Sequence, residues 1–519
     1  MNRPQGRLVA LKAAALIATS TYVTTALGLV VSVIIARSLG PKDDGQYAYL
    51  LWLSGLLVIF GNHGLGITGI RFVSESMGRD QPDEARNVHG WLQRRQWLSL
   101  LAVLSCFSVG VFAFHPAGWQ ESIGLLVGVC IVSVIAKVIF LFDISIAKGY
   151  SRFSVEAVTN MAMSLLYAAG VLVLGMLNSN LTAFVLFFTV ISASHVVMVT
   201  YLLRKEGISP GQGECSPELL ARLKPHLTWT VVLVLVGTLS NKTIETFLLS
   251  TLIGPAEVGF FAIATALTRG GIDLLSSSLT TMLMPMMGHA YGKGGMSKVN
   301  EILSDAVRYF LFVGLIMAGL GVLWAALGIS IMYGHRYEPV VQVLQVMMLV
   351  GGLTLSESAF GALLSTTDHQ KLRAGVSMLS LAVSMVASIA LVPKFGLTGA
   401  VAAHAITRGL VLLIMAAGLM KMLKITLPAR ELLRLMAAAG CACLLVLPLL
   451  WVSNTPVMQF AAGWLYLLAF IVATVVFRAW QAKDAQLLLS IAESKPGIFG
   501  SITPWLQRWA QSLPSAPSP

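Results

Sequence analysis

Residues 13–48 read AAALIATSTYVTTALGLVVSVIIARSLGPKDDGQYA. From Ala13 to Ile35 no charged residue occurs, and a run of that length crosses the roughly 30 Å hydrocarbon of a bilayer as a helix. It is also longer than the roughly 7–15 apolar residues of a secretory signal. The run is therefore expected to be a first membrane span preceded by Arg3, Arg7 and Lys12, not a cleaved leader. Gly40-Pro41 then stops it, because proline cannot donate to a helical ladder and glycine frees the backbone to turn. Asp43 and Asp44 follow, where the positive end of the next helix dipole favours an acid.

The rest of the chain repeats this alternation. Of its 519 residues 56% are hydrophobic and 11% charged, against about 25% charged in soluble domains. Runs long enough to span occur at 13–36, 45–69, 96–115, 122–147, 153–177, 181–203, 226–250, 257–285, 308–332, 339–365, 372–392, 397–420, 431–452 and 457–478. Backbone polar groups must pair internally in lipid, so each run is expected to be helical. The expected fold is an all-α polytopic membrane protein with about 14 transmembrane helices.

The formal charge of +12 raises nucleic acid as a ligand. No polar segment carries a basic stripe interleaved with aromatics, which excludes that class. The charge instead sorts by side. With the N-terminus placed inside, 27 of the 35 Lys and Arg fall in inside segments, and only Arg37, Lys42, Arg336 and Lys394 fall outside. Such a bias sets membrane orientation, so both termini are expected in the cytoplasm of a bacterial inner-membrane protein. The remaining four, Lys137, Lys242, Arg269 and Arg408, lie within spans.

An internal repeat is visible. Gly40-Pro41-Lys42-Asp43-Asp44-Gly45-Gln46-Tyr47-Ala48 and Gly254-Pro255-Ala256-Glu257-Val258-Gly259-Phe260-Phe261-Ala262 share the pattern Gly-Pro-x-acid-x-Gly-x-aromatic-Ala, 214 residues apart. Leu181-Thr182-Ala183 and Leu397-Thr398-Gly399-Ala400 form a second pair, 216 apart. Two six-helix lobes in parallel repeat are expected, at 1–215 and 216–425, with a substrate site between them near the midplane. Ser216-Pro217-Glu218 looks like a helix start at the boundary. Residues 426–480 add spans 13 and 14, and 481–519 form a cytoplasmic amphipathic tail.

These motifs resemble the multidrug/oligosaccharidyl-lipid/polysaccharide exporter superfamily, and within it the polysaccharide-repeat-unit flippases that include O-antigen transporters. The resemblance rests on Ala36-Arg37-Ser38-Leu39-Gly40-Pro41 with Gly45 and Tyr47-Ala48, on Val258-Gly259-Phe260-Phe261 running to Pro285, on Tyr333-Gly334-His335-Arg336-Tyr337, and on Val392-Pro393-Lys394-Phe395-Gly396-Leu397-Thr398-Gly399-Ala400. It implies alternating access between lobes and an undecaprenyl-diphosphate-linked oligosaccharide as substrate, for surface or exopolysaccharide. Membrane lipids, a polysaccharide polymerase and a chain-length regulator are the partners it implies.

Ionisable groups inside a span are costly and mark function by default. Arg269, Arg408, Lys242 and Lys137 are the candidate cations for a diphosphate headgroup, Arg through its fork and Lys as a point charge. The competing reading is local neutralisation: Lys242 with Glu245 at i,i+3 and Arg269 with Asp273 at i,i+4. Arg408 has only His404 at helical spacing, and Asp143 lies six residues from Lys137. Glu357, Asp273, Glu245, Asp143 and His404 are the candidates for ion coupling. Glu357 stands out because no base is near it in sequence, and an unpaired carboxyl in a dry span readily holds a proton. His404 and His195 also fit satisfied core histidines.

No enzyme is read here. Gly288-His289-Ala290-Tyr291-Gly292-Lys293 has the wrong spacing for a phosphate loop, with Gly294 where Ser or Thr is required. Neither a catalytic triad nor a metal cluster is recognisable, and no cofactor is expected. The five cysteines, Cys106, Cys130, Cys215, Cys441 and Cys443, lack disulfide or metal spacing and read as free thiols. In the tail, Gln481–Glu493 and Ile502–Leu513 look amphipathic, the latter through Trp505, Leu506, Trp509 and Leu513. Three alternatives to the oligosaccharide flippase stay open. A lipid II flippase is one, although the Arg-Asp pair usual after its first span is replaced here by Lys42-Asp43-Asp44. A cation-coupled small-molecule antiporter is another, disfavoured by spans 13 and 14. A membrane glycosyltransferase or ligase is disfavoured by the short outside loops.

Overall fold

The computed structural model describes residues 3–114, 123–239, 243–366, 370–452, 455–486 and 489. Among them no strand occurs, and all fourteen expected runs lie on helix. In chain order the helices are α1 (Arg3–Asn62), α2 (Leu65–Gly78), α3 (Pro82–Phe114), α4 (Ile123–Gly149) and α5 (Phe153–Met176). There follow α6 (Leu181–Lys205), α7 (Pro217–Leu239), α8 (Thr243–Leu248), α9 (Pro255–Thr268) and α10 (Leu274–Met332). The last are α11 (Pro339–Leu353), α12 (Glu357–Thr366), α13 (Gln370–Met422), α14 (Ala429–Val452) and α15 (Pro456–Val476).

Three of these carry two spans each, joined at glycine. Gly40 breaks α1 at φ 76°, ψ 172°, a conformation with no place for a Cβ, and Pro41 starts the second half. Gly294 and Gly295 break α10, and Gly396 at φ 56° breaks α13. The repeat is therefore visible in local structure. Gly254-Pro255 opens α9 with Glu257 in its first turn, as Gly40-Pro41 opens the second half of α1. The second pair behaves alike: Asn180 caps α6 ahead of Leu181 by accepting from the Ala183 N–H at 3.2 Å, and the Gly396 break precedes Leu397.

Span limits differ from the expected ones where polar geometry intervenes. The second run ends at Asn62, because Gly64 is left-handed (φ 88°) and starts α2 in a new direction. Between α7 and α10 the ladder widens into π-turns at Leu249–Ile253 and Arg269–Asp273. The tenth run is bent by 46° between α11 and α12, across a break at 354–356.

The chain forms two compact units. One comprises Met1–Gly270, Met332–Val343 and Ala374–Thr407; the other comprises Gly271–Ile331, Leu344–Arg373 and Arg408–Pro519. In the first, Phe72, Val88, Leu92, Phe142, Val199 and Leu223 pack α2, α3, α4, α6 and α7 together. In the second, α14 and α15 pack on α10 through Leu315, Leu435, Ala442, Ala462, Tyr466 and Phe470. Lipid is as apolar as these side chains, so close packing and hydrogen bonds hold such helices more than water exclusion does. Tyr466 illustrates this: it is buried, and its hydroxyl donates to the Leu315 carbonyl at 2.9 Å.

The start of the expected tail is also part of this unit. Residues 482–486 are helical, and Asp484 accepts from the buried Arg308 guanidinium at 2.7 Å and from the Tyr309 hydroxyl. Lys483 and Arg308 both reach Asp305. This piece is thus a packed clasp on α10. The Ile502–Leu513 piece lies outside the described residues.

Candidate functional site

The second unit joins two charges that look solitary in the sequence. Glu357 is the first residue of α12, immediately after the bend, and Arg408 is on α13. Their side chains meet at 3.1 Å, Arg408 Nη1 to Glu357 Oε2. The expectation that neither has a partner is corrected. Helical spacing sees only i±3 and i±4 neighbours on one helix, whereas these residues are 51 positions apart in the chain. The contact is electrostatic, since no described donor meets Glu357 Oε2 at a hydrogen-bonding angle. Both side chains remain partly open, at 38% and 22% exposure, so the guanidinium keeps free N–H groups. Beside them, the Ser276 and Ser358 hydroxyls bond to each other, tying the first turn of α10 to that of α12. Asp273 closes the π-turn just before α10 and is half-buried.

In the first unit, Arg269 opens that π-turn and is exposed, with no ion pair among the described residues. Asp273 likewise has none there, so local neutralisation of this pair does not occur. Such π-turns re-aim side chains and recur at functional sites. Lys137 on α4 lies 5.9 Å from the centre of the Phe140 ring, a cation–π contact. Among the described residues it forms no ion pair, and neither does the buried Asp143. His195 packs edge-on against the same Phe140 ring at 4.7 Å, and its Nδ1–H donates to the Ile191 carbonyl at 2.8 Å. It is a satisfied core histidine. Glu245 is buried on α8 and accepts from the Ser384 hydroxyl of α13 at 3.1 Å. His404 is half-buried on α13. Lys242 lies outside the described residues.

The two copies of the repeat motif meet in this unit. A Cβ on Gly45 would lie 1.7 Å from the Pro255 carbonyl oxygen, and one on Gly259 would lie 3.0 Å from the Gly45 Cα. The backbones of α1 and α9 thus touch at matching positions of the repeat. Around that crossing, Arg37 Nε donates to the Met332 carbonyl at 2.7 Å and Tyr337 donates to the Ala36 carbonyl at 2.8 Å. The Ser32 and Tyr333 hydroxyls meet at 3.2 Å. Asp44 is buried in this seam within reach of the Tyr337 hydroxyl, and its Oδ2 has no partner among the described residues. The Tyr47 and Tyr167 hydroxyls bond to each other nearby. None of these was among the expected site residues. The signal was present in the two motifs 40–48 and 333–337, read there only as turns and as a resemblance.

Two partly neutralised guanidiniums and one ammonium within spans can hold an anion, and the seam can close one end of a path. The sequence matches the polysaccharide biosynthesis protein family over residues 10–290. The chain belongs to that family. No curated protein matches it. Among solved structures it is similar to the lipid II flippase MurJ in an inward closed conformation, with 13% identity, a TM-score of 0.71, and coverage of 89% of this chain and 98% of that one. It is also similar to a multidrug resistance MATE family transporter of the MOP superfamily in an inward-facing conformation, at 15% identity and TM-score 0.63, covering 78% and 95%. The outward-facing conformation of such a transporter matches with 15% identity and TM-score 0.56, over 80% and 96%. At these identities the likeness establishes the shared fold of a polytopic transporter. The family establishes the link to polysaccharide biosynthesis, and its relatives of known structure are transporters and not enzymes.

Proposed function

We propose that this chain moves an undecaprenyl-diphosphate-linked oligosaccharide from the inner to the outer leaflet of the bacterial inner membrane, for surface or exopolysaccharide assembly. The observation that carries the reading is the set of span-embedded cations that the protein leaves available. Arg269 has no ion pair among the described residues, Lys137 has an aromatic ring, and Arg408 shares its charge with one partly open carboxylate. A diphosphate offers the charge and the acceptor geometry that two guanidiniums and an ammonium bind best. Lys242 is assigned to the same headgroup set.

Alternating access between lobes 1–215 and 216–425 is part of the proposal. With both termini cytoplasmic, the crossing at Gly45 and Gly259 lies at the outer face, and its closure is the barred outer gate. Glu357, Asp273, Glu245, Asp143 and His404 form the pool for a coupling ion. Glu357 leads it, because releasing Arg408 to a diphosphate leaves that carboxylate to accept a proton. A polymerase and a chain-length regulator would receive the product. Lipid II is the second reading, favoured by the TM-score of 0.71 to the MurJ fold, and it presents the same diphosphate.

The test is export in cells carrying Arg269→Gln and Arg408→Gln at normal protein levels. Loss of surface polymer, with lipid-linked units accumulating toward the cytoplasm, is the expected result. Normal export in both variants defeats the headgroup assignment. Accumulation of lipid II in place of oligosaccharide-lipid transfers the assignment to the second reading.

A further inference from the structure

A second binding site lies away from the spans, where α3 leaves the apolar zone. A cavity of about 480 Å³ opens there between α3, the segment 206–216 and the start of α7, lined by Trp91, Arg94, Arg95, Leu98, Glu214 and Leu220. Its walls are fixed. A Cβ on Gly90 would sit 2.0 Å from the Gly211 carbonyl oxygen, so the segment lies directly on α3. The Gly211 N–H donates to the Arg86 carbonyl at 2.7 Å, Asn87 donates to the Glu214 carbonyl at 3.3 Å, and Ser216 donates to Glu84 at 2.6 Å. The Arg95 guanidinium lies 5.1 Å from the centre of the Trp91 ring, which holds the fork in place while leaving its edge N–H groups available.

Position and charge identify the occupant. One turn further along α3, Trp97, Leu98 and Leu101 are all more than half exposed, at 51%, 60% and 67%. Apolar side chains presented outward on a membrane helix face acyl chains, and tryptophan marks the headgroup level. The cavity therefore sits at the depth of lipid phosphates. Two guanidiniums one residue apart suit a phosphodiester. Glu214 would repel a purely anionic headgroup but fits one that carries an amine next to its phosphate. We infer that this cavity holds an aminoethyl-phosphate lipid headgroup from the surrounding bilayer, with the phosphate on Arg94 and Arg95 and the ammonium on Glu214. Basic pockets at membrane interfaces are a recurrent form of lipid recognition; the carboxylate is what selects the zwitterion here. The site does not depend on the transport reading.

The test uses the purified full-length chain and native mass spectrometry after exchange against equal amounts of phosphatidylethanolamine, phosphatidylglycerol and phosphatidylcholine with matched acyl chains. The wild type is expected to retain phosphatidylethanolamine over both others. Arg94→Gln with Arg95→Gln should weaken that retention about tenfold, the loss of roughly one charge-assisted contact, and Lys205→Gln should leave it unchanged. Glu214→Gln, an exposed change that leaves the fold alone, should shift preference to phosphatidylglycerol. Unaltered retention in the double arginine variant overturns the site. Wild-type preference for either other lipid, or an unchanged preference in Glu214→Gln, overturns the headgroup assignment. If the arginine variant does not fold, the Glu214→Gln preference decides alone.

Discussion

Replacing Arg408 by Gln removes one half of an ion pair inside a span and leaves Glu357 without its counter-charge. At 3.1 Å the Coulomb attraction is about 5 kcal/mol for an effective dielectric of about 20. Exposures of 38% and 22% admit screening, and both groups lose solvation on pairing. The net coupling is expected to be about 1–2 kcal/mol. A double-mutant cycle with Arg408→Gln, Glu357→Gln and both together, followed by thermal unfolding in detergent, measures it. Each single variant should be less stable than the double predicts by addition. Additivity within about 0.5 kcal/mol refutes the pairing. Export separates structure from function in the same cycle. If Arg408 also binds a headgroup, the double variant recovers stability but not polysaccharide export. Recovery of both shows that the arginine serves only its carboxylate.

Gly45→Ala forces a methyl against the Pro255 carbonyl, so a loss of about 1–3 kcal/mol is expected by thermal unfolding; unchanged stability would place α1 and α9 further apart. Asp484→Asn strips the buried Arg308 of its closest acid and should cost about 3–5 kcal/mol, which a wild-type melting curve in the variant would contradict. Burial holds the His89 imidazole down at about 4, from an ordinary 6.5. The unfolded chain therefore takes up this proton first as pH falls. The stability that neutral His89 contributes is present above pH 6.5 and drains away toward pH 4, on the order of 3 kcal/mol in total. His89→Phe should flatten the acid side of the stability profile over that window, and an identical slope in both proteins would discharge the assignment.

The helical fold was legible because lipid leaves a long apolar run no alternative, and Gly40 and Gly396 mark their breaks in plain sequence. The bend before Glu357 was not, since nothing in Thr354-Leu355-Ser356 forbids helix and neighbouring helices impose the turn. Site residues were legible as types and not as partners. An arginine in an apolar run announces itself, but the acid that answers Arg408 lies on another helix. Asp44 was hidden differently: a carboxylate beside Lys42 and Asp43 reads as solvated, and only the folded backbone buries it against Tyr337. Glycine pairs such as Gly45 and Gly259 show in a sequence only as repeats; their contact needs three dimensions.

The clasp between Arg308 and Asp484 changes what α14 and α15 are to this protein. Beyond the buried pair, the Arg434 side chain caps the Arg478 carbonyl at 2.9 Å, and Trp480 stacks over Tyr309 and Phe312. Shortening the gene to encode twelve helices would strand a guanidinium in a dry interior with no acid of equal reach. A twelve-helix ancestor, had there been one, could not be regained by deletion once that arginine was in place. The appendage is a one-way acquisition, and its removal would first require an apolar residue at position 308.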